Sequence, residues 1–173
     1  FDPGMLYYAP QGWISDDTDA AERVRIQYGT SMCYPISSMG SHVSVVPNHQ
    51  LNRITSLHTR ANVAYFGTFG YELDLNKLTD EEIAEVKAQI IFMKEYRELI
   101  QFGNFYRLKS PFDGNETVWM TVSEDKRKAL VFWYRERNVV NAEFTRVRLQ
   151  GLDPDLIYKN EYNGTENYGD ELM

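Results

Sequence analysis

Trp13-Ile14-Ser15-Asp16-Asp17-Thr18-Asp19-Ala20 places three carboxylates within four residues, beside an indole, where an extended segment gives way to a helix. Upstream, residues 1–8 read Phe-Asp-Pro-Gly-Met-Leu-Tyr-Tyr and run into this turn. Downstream, residues 20–29 have the character of a short helix. Asp19 and Glu22 form its cap pair, and Gly29 is expected to end it. Such a strand-to-helix turn is where catalytic carboxylates are often mounted. Taken by residue type alone, the same run also reads as nothing more than the acidic first turn of a helix.

Working outward, the strongest helix signal covers residues 80–100. Thr79 and Glu82 make a capping box, three acids stand at the positive end of the dipole, and Ile83, Val86, Ile90 and Met93 recur at three- and four-residue spacing. Gly103 should close it. Between the two helices lie apolar runs at 32–39, 43–46 and 63–69, expected as strands, and a helical or loop stretch at 51–61. Alternating strand and helix implies parallel strands. After Asn104 the pattern changes. Residues 105–108, 117–122, 128–134 and 145–149 are short and β-rich, with turns at Asp113-Gly114 and Ser123-Glu124-Asp125, so an antiparallel meander is expected. The boundary falls between residues 1–104 and 105–173, with no low-complexity linker and no internal repeat.

The chain of 173 residues can bury an ordinary core, and its 25 acidic against 18 basic residues, without a basic cluster, argue against nucleic acid or an anionic membrane as partner. No 18-residue apolar run reads as a membrane span, and the start at Phe1 is not that of a signal peptide. A single cysteine, Cys33, rules out an internal disulfide and a multi-cysteine zinc site, and leans toward a reducing compartment. Twelve tyrosines and three tryptophans offer surfaces with one apolar face and one hydrogen-bonding edge, suited to a sugar and equally to a β-rich core.

Other motifs carry less. His42, His49 and His58 match neither HExxH nor a zinc spacing and are read as structural histidines. The Ser37-Ser38-Met39-Gly40 run, with Gly67 and Gly70, makes no phosphate loop, and Ser38, Met39 and Gly40 are placed at a strand end near the pocket rim. Asn115-Glu116-Thr117 and Asn163-Gly164-Thr165 are glycosylation triplets of the sort that arise by chance. Trp119, Trp133 and Tyr134 are assigned to core packing in preference to a carbohydrate platform.

The motif order resembles that of the glycoside hydrolase family 36 α-galactosidases over essentially the whole chain. The opening octapeptide and the Trp13–Ala20 segment match it, as do the run from Glu22 to Ser31 and Tyr34-Pro35-Ile36-Ser37-Ser38-Met39-Gly40-Ser41-His42-Val43-Ser44. Val46-Pro47-Asn48-His49-Gln50, the stretches 59–67 and 70–75, and the closing Tyr168-Gly169-Asp170-Glu171-Leu172-Met173 match as well. Ile14 departs from it, since the family usually has a hydroxyl residue there.

This resemblance implies the last strands and helices of a (β/α)8 TIM barrel, followed by an antiparallel β-sandwich domain. A complete barrel needs about 250 residues, so the chain is expected to be a piece of a longer protein. It implies a retaining α-galactosidase acting on terminal α-linked galactose in oligosaccharides such as raffinose or melibiose. Glycoside hydrolysis with retention needs a carboxylic acid and a carboxylate nucleophile. Among Asp16, Asp17 and Asp19, the helix cap occupies Asp19, the family tolerates Asn at the position of Asp17, and Asp16 matches the general acid/base. Trp13 matches an aromatic residue of the galactose pocket. The nucleophile belongs to a KWD-type motif absent from these residues, so the isolated segment is expected to be inactive and poorly soluble. No metal or organic cofactor is implied, and the family often forms homotetramers; with the lone cysteine, a cytoplasmic protein is expected. Two other readings stand beside this one: a non-catalytic structural or carbohydrate-binding piece, and a related α-N-acetylgalactosaminidase.

Overall fold

The computed structural model describes residues 2–142 and 144–173, so Phe1 of the opening motif lies outside the described residues. The chain forms two compact units that divide between Gln101 and Phe102.

The first unit is a succession of extended segment and helix repeated three times. A 3₁₀ turn, Pro3–Tyr7, is capped by Asp2 and leads to Gly12, which bridges in parallel to Met39. Helix α1 follows (Ala20–Thr30), then strand β1 (Gly40–Ser44), helix α2 (Leu57–Ala64), strand β2 (Thr68–Glu72) and helix α3 (Asp80–Phe102). β1 and β2 are parallel, in register from Gly40↔Thr68 to Ser44↔Glu72. The Gly12 segment joins the other side of β1 through Gly12 N–H to Ser38 O and Gly40 N–H to Gly12 O, both 2.8 Å. Among the described residues β2 pairs with β1 alone.

Local chemistry accounts for the helices. Asp19 Oδ1 accepts from the N–H groups of Ala21 and Glu22 at 3.0 and 3.1 Å, satisfying two donors that the first turn leaves unpaired. Thr79 and Glu82 complete a reciprocal capping box at the start of α3, with distances of 3.2 and 2.9 Å. Gly29 does not end α1. The helix continues to Thr30 and Ser31 caps it, the Thr30 and Ser31 hydroxyls bonding back to Ile26 O and Tyr28 O.

The strands depart from the apolar runs. Residues 32–39 form turns and a 3₁₀ segment, Ile36–Ser38, because Pro35 opens a turn that the Ser38 hydroxyl closes on Pro35 O at 2.8 Å. The strand begins only at Gly40, so Ser38, Met39 and Gly40 stand at its N-terminal end. Residues 63–69 divide: Val63 and Ala64 are the buried last turn of α2, which Ser56 caps, and the strand starts at Thr68.

Alternation places Ser41 and Val43 toward the helices, and Gly40, His42 and Ser44 on the opposite face. Ser41 Oγ meets Gln27 of α1 at 3.3 Å, and Tyr71 of β2 donates to Gln89 of α3 at 2.8 Å. Between these layers Val24, Met39, Val43, Ala61, Val63 and Phe66 are almost wholly buried.

The second unit is an antiparallel meander, β3 (Asn104–Lys109), β4 (Glu116–Val122) and β5 (Ala129–Arg135), with a hairpin of β6 (Ile157–Lys159) and β7 (Glu166–Tyr168) and a short helix α4 (Gly169–Leu172). Met120, Val122 and Leu152 form its buried centre, with Tyr106, Leu149, Tyr158 and Leu172 packed around them. Trp119 is buried and stacks on Phe132 at 4.4 Å, whereas Trp133 is half exposed beneath the Arg135 guanidinium. Residues 145–149 do not form the expected strand. Thr145 is held by the Glu116 side chain and Leu149 by one backbone bond to Leu172, which is not a ladder.

Candidate active site

The carboxylate-bearing loop runs from Gly12, paired with β1, to Asp19 at the head of α1, so it lies at the C-terminal side of an extended segment in a parallel βα unit. In parallel α/β folds this is the side on which catalytic groups gather. Nested turns shape the loop: the Asp17 N–H donates to Ser15 Oγ at 3.1 Å, and the Asp19 N–H to Asp17 Oδ1 at 3.0 Å. Asp17 and Asp19 are thereby occupied with backbone, leaving Asp16 exposed. Among the described residues its one hydrogen bond comes from the Trp13 indole, Nε1 to Oδ1 at 3.0 Å.

Three residues to which the sequence reading gave no part in the site gather here: Arg23 and His42 against the Trp13 ring, and Glu72 through its charge on both. Arg23, on the buried side of α1, donates to Ser15 O at 2.8 Å and to Gly40 O at 3.4 Å, with its guanidinium carbon 5.6 Å from the Trp13 ring centre. Burial lowers its pKa, opposed by the carboxylates of Glu72, Asp17 and Asp16. His42, read above as merely structural, packs its ring against Trp13 at 4.7 Å. Its Nδ1 is buried without a hydrogen-bond partner among the described residues. Burial holds the His42 pKa below the usual histidine value; Glu72 opposes this and Arg23 reinforces it. Glu72, the third, accepts from Ser44 at 3.4 Å, joining the C-terminal ends of β2 and β1. A cue was present in the sequence: once His42 is on a strand, its parity with Gly40 and Ser44 puts it on the face away from the helices.

The loop after β1 meets the carboxylate loop. The buried Asn48 donates to Thr18 Oγ1 at 3.2 Å, while Arg53 pairs with Asp19 and lies 3.8 Å from Glu22. His49 is exposed, and His58 is paired with Asn62 at 3.0 Å. A cavity of about 570 Å³ along β2 and α3 is bordered by His42, Thr68, Gly70, Met93 and Arg97, and Asp16 does not line it. Among the described residues no three His, Cys, Asp or Glu side chains are grouped to hold a metal, and no helix is long and apolar enough to cross a membrane.

Parallel βα units with carboxylates at their C-terminal side are a frame shared by many enzymes, and comparison with known proteins narrows it to glycosidases. The Melibiase family model matches residues 1–103, and the glycosyl hydrolase family 36 C-terminal domain model matches residues 116–173. The α-galactosidase AgaA of Geobacillus stearothermophilus is 57% identical over all 173 residues, which cover 24% of its length. The bifunctional α-galactosidase/sucrose kinase AgaSK of Mediterraneibacter gnavus is 51% identical over the whole chain, which covers 18% of that protein. The crystal structure of AgaA superposes with a TM-score of 0.96 at 57% identity, covering all of this chain and 24% of AgaA. A variant of AgaA solved in complex with raffinose gives the same TM-score at 55% identity and the same coverage. The chain belongs to glycoside hydrolase family 36. It spans about a quarter, or less, of the length of these relatives.

Proposed function

We propose that this chain supplies the general acid/base of a retaining α-galactosidase that releases terminal α-linked galactose from oligosaccharides such as raffinose or melibiose. Asp16 is the acid. It protonates the glycosidic oxygen as the bond to the anomeric carbon breaks, and then, as a carboxylate, takes a proton from the water that opens the glycosyl-enzyme. Trp13 lines the galactose pocket and fixes the Asp16 carboxyl. The observation that carries this reading is the 3.0 Å hydrogen bond from the Trp13 indole to a solvent-facing carboxylate, committed to no other described residue, on the C-terminal side of parallel βα units.

The nucleophile stands on the opposite face of the sugar, about 5 Å from the acid in retaining enzymes, and comes from outside these residues. The segment alone is therefore inactive. Residues 1–104 fit the last three βα units of a (β/α)8 barrel, whose first strand would cover the free edge of β2, and residues 105–173 fit the start of a C-terminal β-sandwich. The resemblance supports a homotetramer needing no metal, and the single cysteine Cys33 suits a reducing, cytoplasmic compartment.

The test uses the full-length enzyme. Asp16→Asn should lower kcat/KM for raffinose by about 10²–10⁴-fold, the usual value of acid catalysis, while an aryl α-galactoside with an acidic phenol keeps most of its kcat/KM. Equal losses on both substrates would sink the assignment.

A further inference from the structure

Asp16 is bracketed by three attachments, two of which come from a different βα unit. On its N-terminal side Arg23 holds Ser15 O at 2.8 Å. On its C-terminal side Thr18 and Asp19 are both held by the loop between β1 and α2, through Asn48 and Arg53. That loop is itself rigidly closed: Asn48 Oδ1 accepts from the N–H groups of Gln50 and Leu51 at 2.9 and 2.8 Å, and Asn48 N–H donates to Arg53 O at 2.9 Å. One closed turn thus presents a buried amide to Thr18 and a guanidinium to Asp19, two and three residues after Asp16.

We propose that Asn48 and Arg53 are positioning residues for the acid, a role that rests on Asp16 being that acid. The α1 cap needs only the Asp19 carboxylate and the two N–H groups it already receives. Arg53 adds a fixed point outside the helix, and a side chain 43% exposed has little packing role of its own. An acid must meet the leaving oxygen at hydrogen-bond distance as the bond breaks, so a small displacement of its loop taxes proton donation and leaves sugar binding nearly intact. Arg53 therefore governs how well Asp16 protonates a poor leaving group.

In the full-length enzyme, Arg53→Ala should lower kcat for raffinose about 10- to 100-fold with KM little changed. The same variant should lose far less kcat/KM on an aryl galactoside that needs no proton. Arg53→Lys should restore part of the loss, and Thr18→Val, which removes the hydroxyl that Asn48 holds, should show the same leaving-group dependence more weakly. In an Asp16→Asn background Arg53→Ala should add nothing on raffinose, because the group it positions no longer donates. Equal losses on the two substrates, or a lowered melting temperature with an unchanged raffinose-to-aryl ratio, would overturn the positioning role. A wild-type leaving-group profile for Asp16→Asn itself would instead overturn the acid assignment, so the two failures are distinguishable.

Discussion

The Trp13 indole donates to the Asp16 carboxylate across 3.0 Å, and the same ring packs on His42 from the neighbouring strand β1. The candidate acid is thus oriented by a side chain that is anchored beyond its own loop. Trp13→Phe separates the two functions, keeping the face against His42 and deleting the donor. A hydrogen bond to a charged group contributes about 1.5–3 kcal/mol when buried, and here both partners meet solvent, so about 1 kcal/mol is expected. In the full-length enzyme that corresponds to a roughly fivefold lower kcat/KM on raffinose. A variant kinetically identical to wild type would mean the indole does not orient the acid.

Asp17 and Asp19 should part company. Asp17 uses Oδ1 to accept the Asp19 N–H, and an amide oxygen accepts equally well, so Asp17→Asn should keep most of the activity at an unchanged melting temperature. Asp19→Ala removes the α1 cap and the partner of Arg53, a loss of about 1–2 kcal/mol that should appear as a lower melting temperature. Abolished turnover in Asp17→Asn would show that the acid is Asp17.

Two glycines predict opposite phenotypes. A Cβ at Gly67 would lie 2.6 Å from Ser41 Cβ and 2.8 Å from Met39 O, so backbone must move, and Gly67→Ala should destabilise by about 1–3 kcal/mol. At Gly70 the nearest atom is His42 Cδ2 at 3.1 Å, a ring able to shift. Gly70→Ala should therefore lower kcat/KM through the displaced His42 and Trp13 while costing less in melting temperature. Thermal melts beside raffinose kinetics separate the two.

Glu116 offers a pH signature in the second unit. Its partial burial raises the carboxyl pKa, but hydrogen bonds from Lys109, Thr145 and Arg135 outweigh this and hold it at about 2. A depressed folded pKa means stabilisation present above the unfolded value of about 4.3 and lost as pH falls toward the folded one. Glu116→Gln should thus melt below wild type at pH 7, with the difference narrowing as pH is lowered from about 4.5. A difference that stays constant through that window would show that the charge of Glu116 is not what stabilises the meander.

Some of this organisation is legible in the sequence. The Asp19 cap, the Thr79–Glu82 box and the change from βα units to a meander rest on interactions between residues two to four apart, or on periodicity, and both are written directly in the chain. The strands near the site were misplaced because residues 32–39 and 63–69 are apolar for other reasons: a Pro35-initiated turn in one, the buried end of α2 in the other.

By itself the sequence determined the family and the helix caps, because motif order and a cap such as that of Asp19 on Ala21 and Glu22 are local to the chain. Only the tertiary structure decided what stands around that carboxylate. Asn48 reaches Thr18 across 30 residues, Arg53 reaches Asp19 across 34 and Arg23 reaches Gly40 across 17. The meeting of Trp13 with His42 depends likewise on the pairing of the Gly12 segment with the start of β1. Such contacts follow from strand register and parity, where a shift of one residue turns every side chain to the other face, and no local pattern in the chain encodes them.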